Sequence, residues 1–209
     1  MKKILVTLAI ILLPIAGCMA QNVKLPAPQK KGGKTVVETL WNRASGTEFS
    51  DKMLSNQDLS NLLFAAIGVN RDNGKLTSPT ASNKQEIRLF VFTAEGVSEY
   101  LNTENSLKPL LTGDHRPLLA GHQEWVKSAP VILLIVADET KFGRNDERAK
   151  NIMAIDAGIV CENINMFCAG TGLVTRPRGS MDVAAIKSLL NFDDSLTLLL
   201  NNPVGYPKK

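Results

Sequence analysis

Histidine and cysteine are scarce in this chain: 209 residues hold two of the first and three of the second. His115 and His122 form no HExxH pattern, and no Cys-x-x-Cys pair or Gly-x-Ser-x-Gly elbow occurs, so the common motifs of zinc hydrolases, dithiol enzymes and serine hydrolases are missing. Phosphate loops of the Rossmann or P-loop type are missing too. Gly170-Thr171-Gly172 closes a helical pattern instead of opening one, and Gly143 lacks the spacing. No metal site is expected, and any catalysis is expected to rest on a bound cofactor.

Charge of one sign is lacking as well. The net charge is +4, and removing Lys2 and Lys3 leaves 22 basic residues against 20 acidic, a net +2. Without a concentrated basic stripe and interleaved aromatics, nothing calls for a nucleic-acid partner. Cys161 and Cys168 fall two turns apart in one helical pattern, about 10 Å against the roughly 7 Å that a disulfide tolerates. They read as small buried hydrophobes.

One long apolar run is present. Met1-Lys2-Lys3 is followed by Ile4 to Gly17, too short for a bilayer span of about 20 residues. Residues 1–20 therefore read as a signal peptide, giving an exported protein. Ile15-Ala16-Gly17-Cys18 has the form of a lipobox, with Cys18 lipidated as the membrane anchor; Cys18-Met19-Ala20 offers the alternative of cleavage before Gln21. The expected location is the periplasm, free or as a membrane-anchored lipoprotein.

Residues 21–34, rich in Lys, Pro and Gly, read as a linker, and 35–209 as one domain. Helices are expected over Thr35–Arg43, with Val36, Val37, Leu40 and Trp41 on one packing face, and after Ser55, stopping at Gly68. Others are expected over Pro117–Lys127, Asn145–Gly170 and Asp182–Leu190. Strands are expected at Ile87–Thr93, Val97–Leu101, Val131–Ala137, Leu173–Thr175 and Ser195–Leu200, with the third buried on both faces. Val69–Gln85 and Asn102–Arg116 read as loops. The fold class is α+β, a central sheet clothed in helices, with 145–170 as a long buried helix. Trp41 and Trp125 read as packing residues, and the plainer reading of His122 is a partly buried helix histidine.

Three separated segments carry chemistry. Arg43-Ala44-Ser45-Gly46-Thr47-Glu48-Phe49 ends the first helix. Ser78-Pro79-Thr80-Ala81-Ser82-Asn83-Lys84-Gln85 precedes a strand, and Gly170 to Gly179 follows the long helix. Taken alone, an Arg and a Ser near a helix end read as capping and surface residues, although a guanidinium can fork onto phosphate oxygens and a nearby hydroxyl can add a neutral donor.

Together these segments resemble the nitroreductase family, over roughly Val36 to Lys208. The first resembles Arg-x-Ser-x-Arg/Lys-x-Phe, the second Pro-Ser-x-x-Asn-x-Gln, and the third Gly-Leu-Gly-Thr with its following loop. Gly113-Asp114-His115-Arg116, Ala129-Pro130, Asp156-Ala157-Gly158 and Val204 to Lys208 fit the family frame. The resemblance implies a mixed or antiparallel sheet, bound FMN and a homodimer with flavin at the subunit interface. It places Arg43, Ala44, Ser45 and Thr47 at the FMN phosphate and pyrimidine edge. Pro79, Thr80, Ala81, Asn83 and Gln85 would come from the partner. Pro177 would lie against the ring, with the Gly179 backbone N–H at flavin N5. Arg178 would stand at the phosphate or substrate, Lys208 or Lys209 at the phosphate, and His122 and Gln123 near the substrate.

This sequence departs from the pattern at Thr47, where Arg or Lys is usual, at Glu162, where Gln is usual, and in its short tail. The implied activity is ping-pong transfer of hydride or electrons through flavin N5, from a small-molecule donor to a nitroaromatic, quinone or similar acceptor. The loops Val69–Thr77 and Asn102–Arg116 would set specificity. Export separates the chain from cytoplasmic NAD(P)H. That leaves open an azoline-type oxidase, an exported flavin- or ligand-binding protein without turnover, and a dimer with an empty cleft.

Overall fold

The computed structural model describes residues 21–144 and 146–208; the signal peptide and Cys18 lie outside them. Seven strands form one sheet in the order β1-β4-β3-β2-β5-β7-β6. They are β1 (Val23–Lys24), β2 (Ile87–Phe92), β3 (Gly96–Leu101), β4 (Ser106–Thr112), β5 (Val131–Asp138), β6 (Val174–Thr175) and β7 (Leu196–Gly205). Every pairing is antiparallel. This is the expected α+β class, with the sheet antiparallel throughout.

β5 lies at the centre because both its faces are apolar. Val131, Leu133, Ile135 and Ala137 enter one buried cluster, and Ile132, Leu134 and Val136 the other. The two-residue period sends alternate side chains to opposite faces. On the first face pack α2 (Asn56–Ile67) and α4 (Glu147–Thr171); on the second lie α3 (Pro117–Ala120) and α5 (Val183–Leu190). Ser55, Asp146 and Asp182 cap α2, α4 and α5 by accepting backbone N–H groups.

Several expectations need correction. Residues 21–34 are no free linker. Val23–Lys24 pairs with β4, Leu25 is buried, the Ser60 hydroxyl donates to Pro26 O at 2.6 Å, and Lys34 N donates to Gly170 O at 2.8 Å. The stretch gains as edge strand and loop the partners that its composition did not advertise. Ser106–Thr112, assigned to a loop, is a strand whose Pro109 sits at a register shift, where a missing N–H is tolerated. The helix over 117–127 breaks at Gly121, which has φ +56°, and resumes as a 3-10 turn, Glu124–Ser128. Gly68 ends α2 with extended backbone, and a Cβ there would meet Phe64 at 2.3 Å.

The largest departure concerns α1 (Val36–Asn42). Its apolar face exists as expected but is left uncovered by the described residues. Val36, Val37 and Leu40 are exposed, and Trp41 is 86% exposed; Thr39, on the opposite side, is buried against α4.

Candidate functional site

α1 is set down on the C-terminal end of α4. Thr35 caps α1 in a reciprocal box with Glu38, whose carboxylate accepts from Thr35 N at 2.8 Å and Oγ1 at 2.7 Å. Those bonds hold the Glu38 carboxyl below the usual carboxylate range. At Arg43 the backbone turns extended, so residues 43–47 leave the helix and run across to β6. There Gly46 N donates to Thr175 O at 3.1 Å, and a Cβ on Gly46 would stand 2.4 Å from Val174 Cγ1. Only glycine allows that approach, and it joins the first chemical segment to the third.

Between them opens a cleft of about 270 Å³ lined by Arg43, Ala44, Ser45, Asn165, Pro177 and Lys34, with Leu173, Val174 and Pro207 among its apolar walls. Arg43, Ala44, Ser45 and Pro177 are thus brought together as expected. Lys34 and Asn165 were not foreseen. Neither Arg43 nor Lys34 is among the cations that pair with a carboxylate in the described residues. Two uncommitted cations and a hydroxyl beside apolar walls suit an anionic group joined to a flat apolar one.

The cleft's floor is polar and fixed. Asn202 on β7 donates to Asn165 Oδ1 at 3.2 Å and Thr175 Oγ1 at 3.3 Å, and accepts from Cys161 Sγ at 3.2 Å. Asn165 donates to Glu162 Oε2 at 2.9 Å, so the residue standing where Gln is usual orients the floor. Burial pushes the Cys161 thiol up to about 11 and that of Cys168 higher still, which keeps both protonated and inert, as small buried groups.

On the other face of β7, Arg178 is buried, correcting the role expected of it. Its guanidinium donates to Leu119 O at 2.7 Å, Asn201 Oδ1 at 2.8 Å, Ala120 O at 3.0 Å and Gln123 Oε1 at 3.0 Å. It also stacks 5.6 Å from the Trp125 ring, beside Phe49. Burial and the nearby Arg176 lower its affinity for its proton. This charge is committed to those four acceptors, ties the turn to α3 and β7, and does not line the cleft. Gln123 is engaged in the same bond, while His122 is exposed at the helix break. Arg178 N and O both pair with Asn201, leaving Gly179 at the exposed corner next to Pro177.

The second segment stands apart. Ala81 N donates to Asp156 Oδ2 at 2.8 Å, nine residues before Asn165 on α4, about 13 Å along the helix axis. Gln85 N donates to Thr80 Oγ1, and the Gln85 side chain to Gly74 O and Asn83 Oδ1, so the loop holds itself. Ser82, Asn83 and Gln85 all have φ near +52°, an uncommon conformation outside glycine. Pro79, Thr80, Ala81, Asn83 and Gln85 therefore do not join the Arg43 cleft within one chain. Thr47 is half-buried, and Lys208 is exposed, its N–H 3.5 Å from Glu48 O; neither lines the cleft.

Comparison with known proteins gives this arrangement a context. The description "Nitroreductase family" matches residues 41–206. A Methanocaldococcus jannaschii protein assigned to the nitroreductases is 28% identical over 178 residues, covering 80% of this chain and 89% of its own. A Ralstonia eutropha crystal structure with the same assignment superposes with a TM-score of 0.85 at 28% identity, covering 92% of both chains. The NADPH:FMN oxidoreductase of Vibrio harveyi, solved with NAD+, shares the fold at 18% identity and a TM-score of 0.65, covering 83% of this chain and 69% of that one. With the profile spanning most of the sequence and both ends of the cleft, this chain belongs to the nitroreductase family.

Proposed function

We propose that this chain is an FMN-dependent oxidoreductase working as a homodimer, with the flavin held in the cleft between Arg43 and Pro177. The observation that carries the reading is the meeting of the Arg43–Ser45 segment and the Pro177–Gly179 turn around one cleft, fastened by Gly46. Bound FMN would supply reversible two-electron redox chemistry. The protein's own part is to grip the phosphate with Arg43 and Ser45, wall the ring with Pro177, and offer the Gly179 backbone at the open corner. Replacing Arg43 with alanine is expected to lower FMN affinity at least tenfold, the loss of one charge-assisted contact. Fluorescence titration of FMN checks this, and unchanged affinity refutes the phosphate assignment.

Two observations support the dimer. The Thr80–Asn83 loop, which the resemblance places at a flavin, stands apart from the Arg43 cleft of its own chain. The exposed face of Val36, Val37, Leu40 and Trp41, with Ile155 exposed on α4, is the kind of patch a second copy covers. The loop of Thr80 and Asn83 would then reach the partner's flavin. Trp41→Asp should shift the protein to monomer in light scattering and strip its flavin; a flavin-loaded dimer would contradict this.

The acceptor class we infer is a small nitroaromatic, quinone or similar compound. With Met1–Ala20 read as an export signal, we propose that the donor is not cytoplasmic NAD(P)H. Anaerobic addition of NADH or NADPH should leave the flavin colour unbleached, and bleaching would restore the nicotinamide donor.

A further inference from the structure

Of the cations that the resemblance implies at the phosphate, Arg43 lines the cleft, whereas Arg178 is taken up by Leu119, Ala120, Asn201 and Gln123 and Lys208 does not line it. Lys34 does line the cleft. Its main chain is pinned between two helix ends: Lys34 N donates to Gly170 O in the last turn of α4, and Thr35 caps α1. Gly33 makes the approach, with φ +76°, and a Cβ there would press within 3.2 Å of Gly170 O. The acidic group on α1, Glu38, feels the Lys34 charge, but its carboxylate is taken up by Thr35. It forms no ion pair with Lys34 among the described residues and does not line the cleft.

We infer that Lys34, delivered by the segment before α1, is the second cation on the flavin phosphate beside Arg43. The inference rests on the FMN reading above. Its chemistry is local. An ammonium group on a flexible stem makes a point-charge contact with a phosphate dianion beside the forked contact from Arg43. It would not touch the ring. Lys31, in the same loop, lines a neighbouring groove and not this cleft, so it carries the same charge without the contact.

The test compares FMN with riboflavin, which lacks the phosphate, by quenching of flavin fluorescence on the full mature chain. Lys34→Ala should weaken FMN about tenfold, the scale of one exposed charge-assisted contact, and leave riboflavin affinity unchanged. Lys34→Arg should restore most of the FMN affinity, while Lys31→Ala and Lys208→Ala should change little. Unchanged FMN affinity in Lys34→Ala, or an equal loss for riboflavin, overturns the assignment alone. A wild-type chain that binds neither flavin overturns the flavin reading and this inference with it.

Discussion

Replacing Arg178 with alanine should destabilise the protein by roughly 3–5 kcal/mol, because the buried acceptors around it lose their donor together. Leu119 O, Ala120 O, Asn201 Oδ1 and Gln123 Oε1 all receive hydrogen bonds from this one guanidinium. Leu119, Ala120 and Asn201 are fully buried, so water cannot replace those lost bonds cheaply, whereas Gln123 is exposed. For a domain of this size the midpoint of thermal unfolding should fall by about 10 °C. Lysine should rescue little, since one ammonium cannot span four divergent acceptors. The same change frees the turn bearing Pro177 and Gly179, so flavin affinity should fall with stability. A variant melting within a degree or two of wild type would show that the buried network is not what fixes this turn.

Replacing Glu86 with glutamine should stabilise the protein, and the gain should depend on pH. Glu86 is fully buried, and its two carboxylate oxygens accept from no donor among the described residues. Burial, together with the neighbouring Asp156 carboxyl, pushes Glu86 up from 4.5 to about 7; Lys141, which donates to Gln85 O, opposes this only weakly. The folded value is raised, so the protonated acid contributes stability below the ordinary carboxylate value, and that contribution is lost as pH rises through 7. Wild type should therefore melt lower at pH 8 than at pH 5. Glu86→Gln keeps a neutral donor beside Asp156 at every pH, and should gain on the order of 3 kcal/mol at pH 8 and almost nothing at pH 5. Equal effects at both pH values would contradict a Glu86 carboxyl that keeps its proton up to about pH 7 in the folded chain. The site lies directly under the strained Pro79–Gln85 loop, so the same titration should loosen the segment proposed to reach the partner.

What could be read from the sequence follows physical lines. β5 is legible because its apolar run is continuous, and α4 because Met153, Ala157, Val160, Ile164 and Cys168 recur at helical spacing. The expectation that α4 is buried nearly all round is corrected, since its outer side, with Ile155, stays exposed. β7 was read only to Leu200, because Asn201, Asn202 and Pro203 break that pattern. They continue the strand because Arg178, Asn165 and Thr175 satisfy the two amides inside the core. β4 was missed because Lys108 and Pro109 look like a loop until β3 is beside them. At the site, Arg43, Ser45 and Pro177 were legible from motif spacing, which survives without knowing the fold. Lys34 was not: in a Lys- and Gly-rich stretch no local signal separates a docked lysine from a solvated one. Trp41 shows the opposite failure. Its hydrophobic face was plain, but a single sequence does not say whether the surface that covers it belongs to the same chain.

The central claim is a flavin held by two copies of the chain. Sedimentation velocity of the mature protein saturated with FMN, followed at both protein and flavin absorbance, tests it in one run. The account predicts that the flavin colour moves entirely with a species of twice the chain mass, at one flavin per chain. Flavin left behind as free small molecule, or travelling with a single chain, would contradict it.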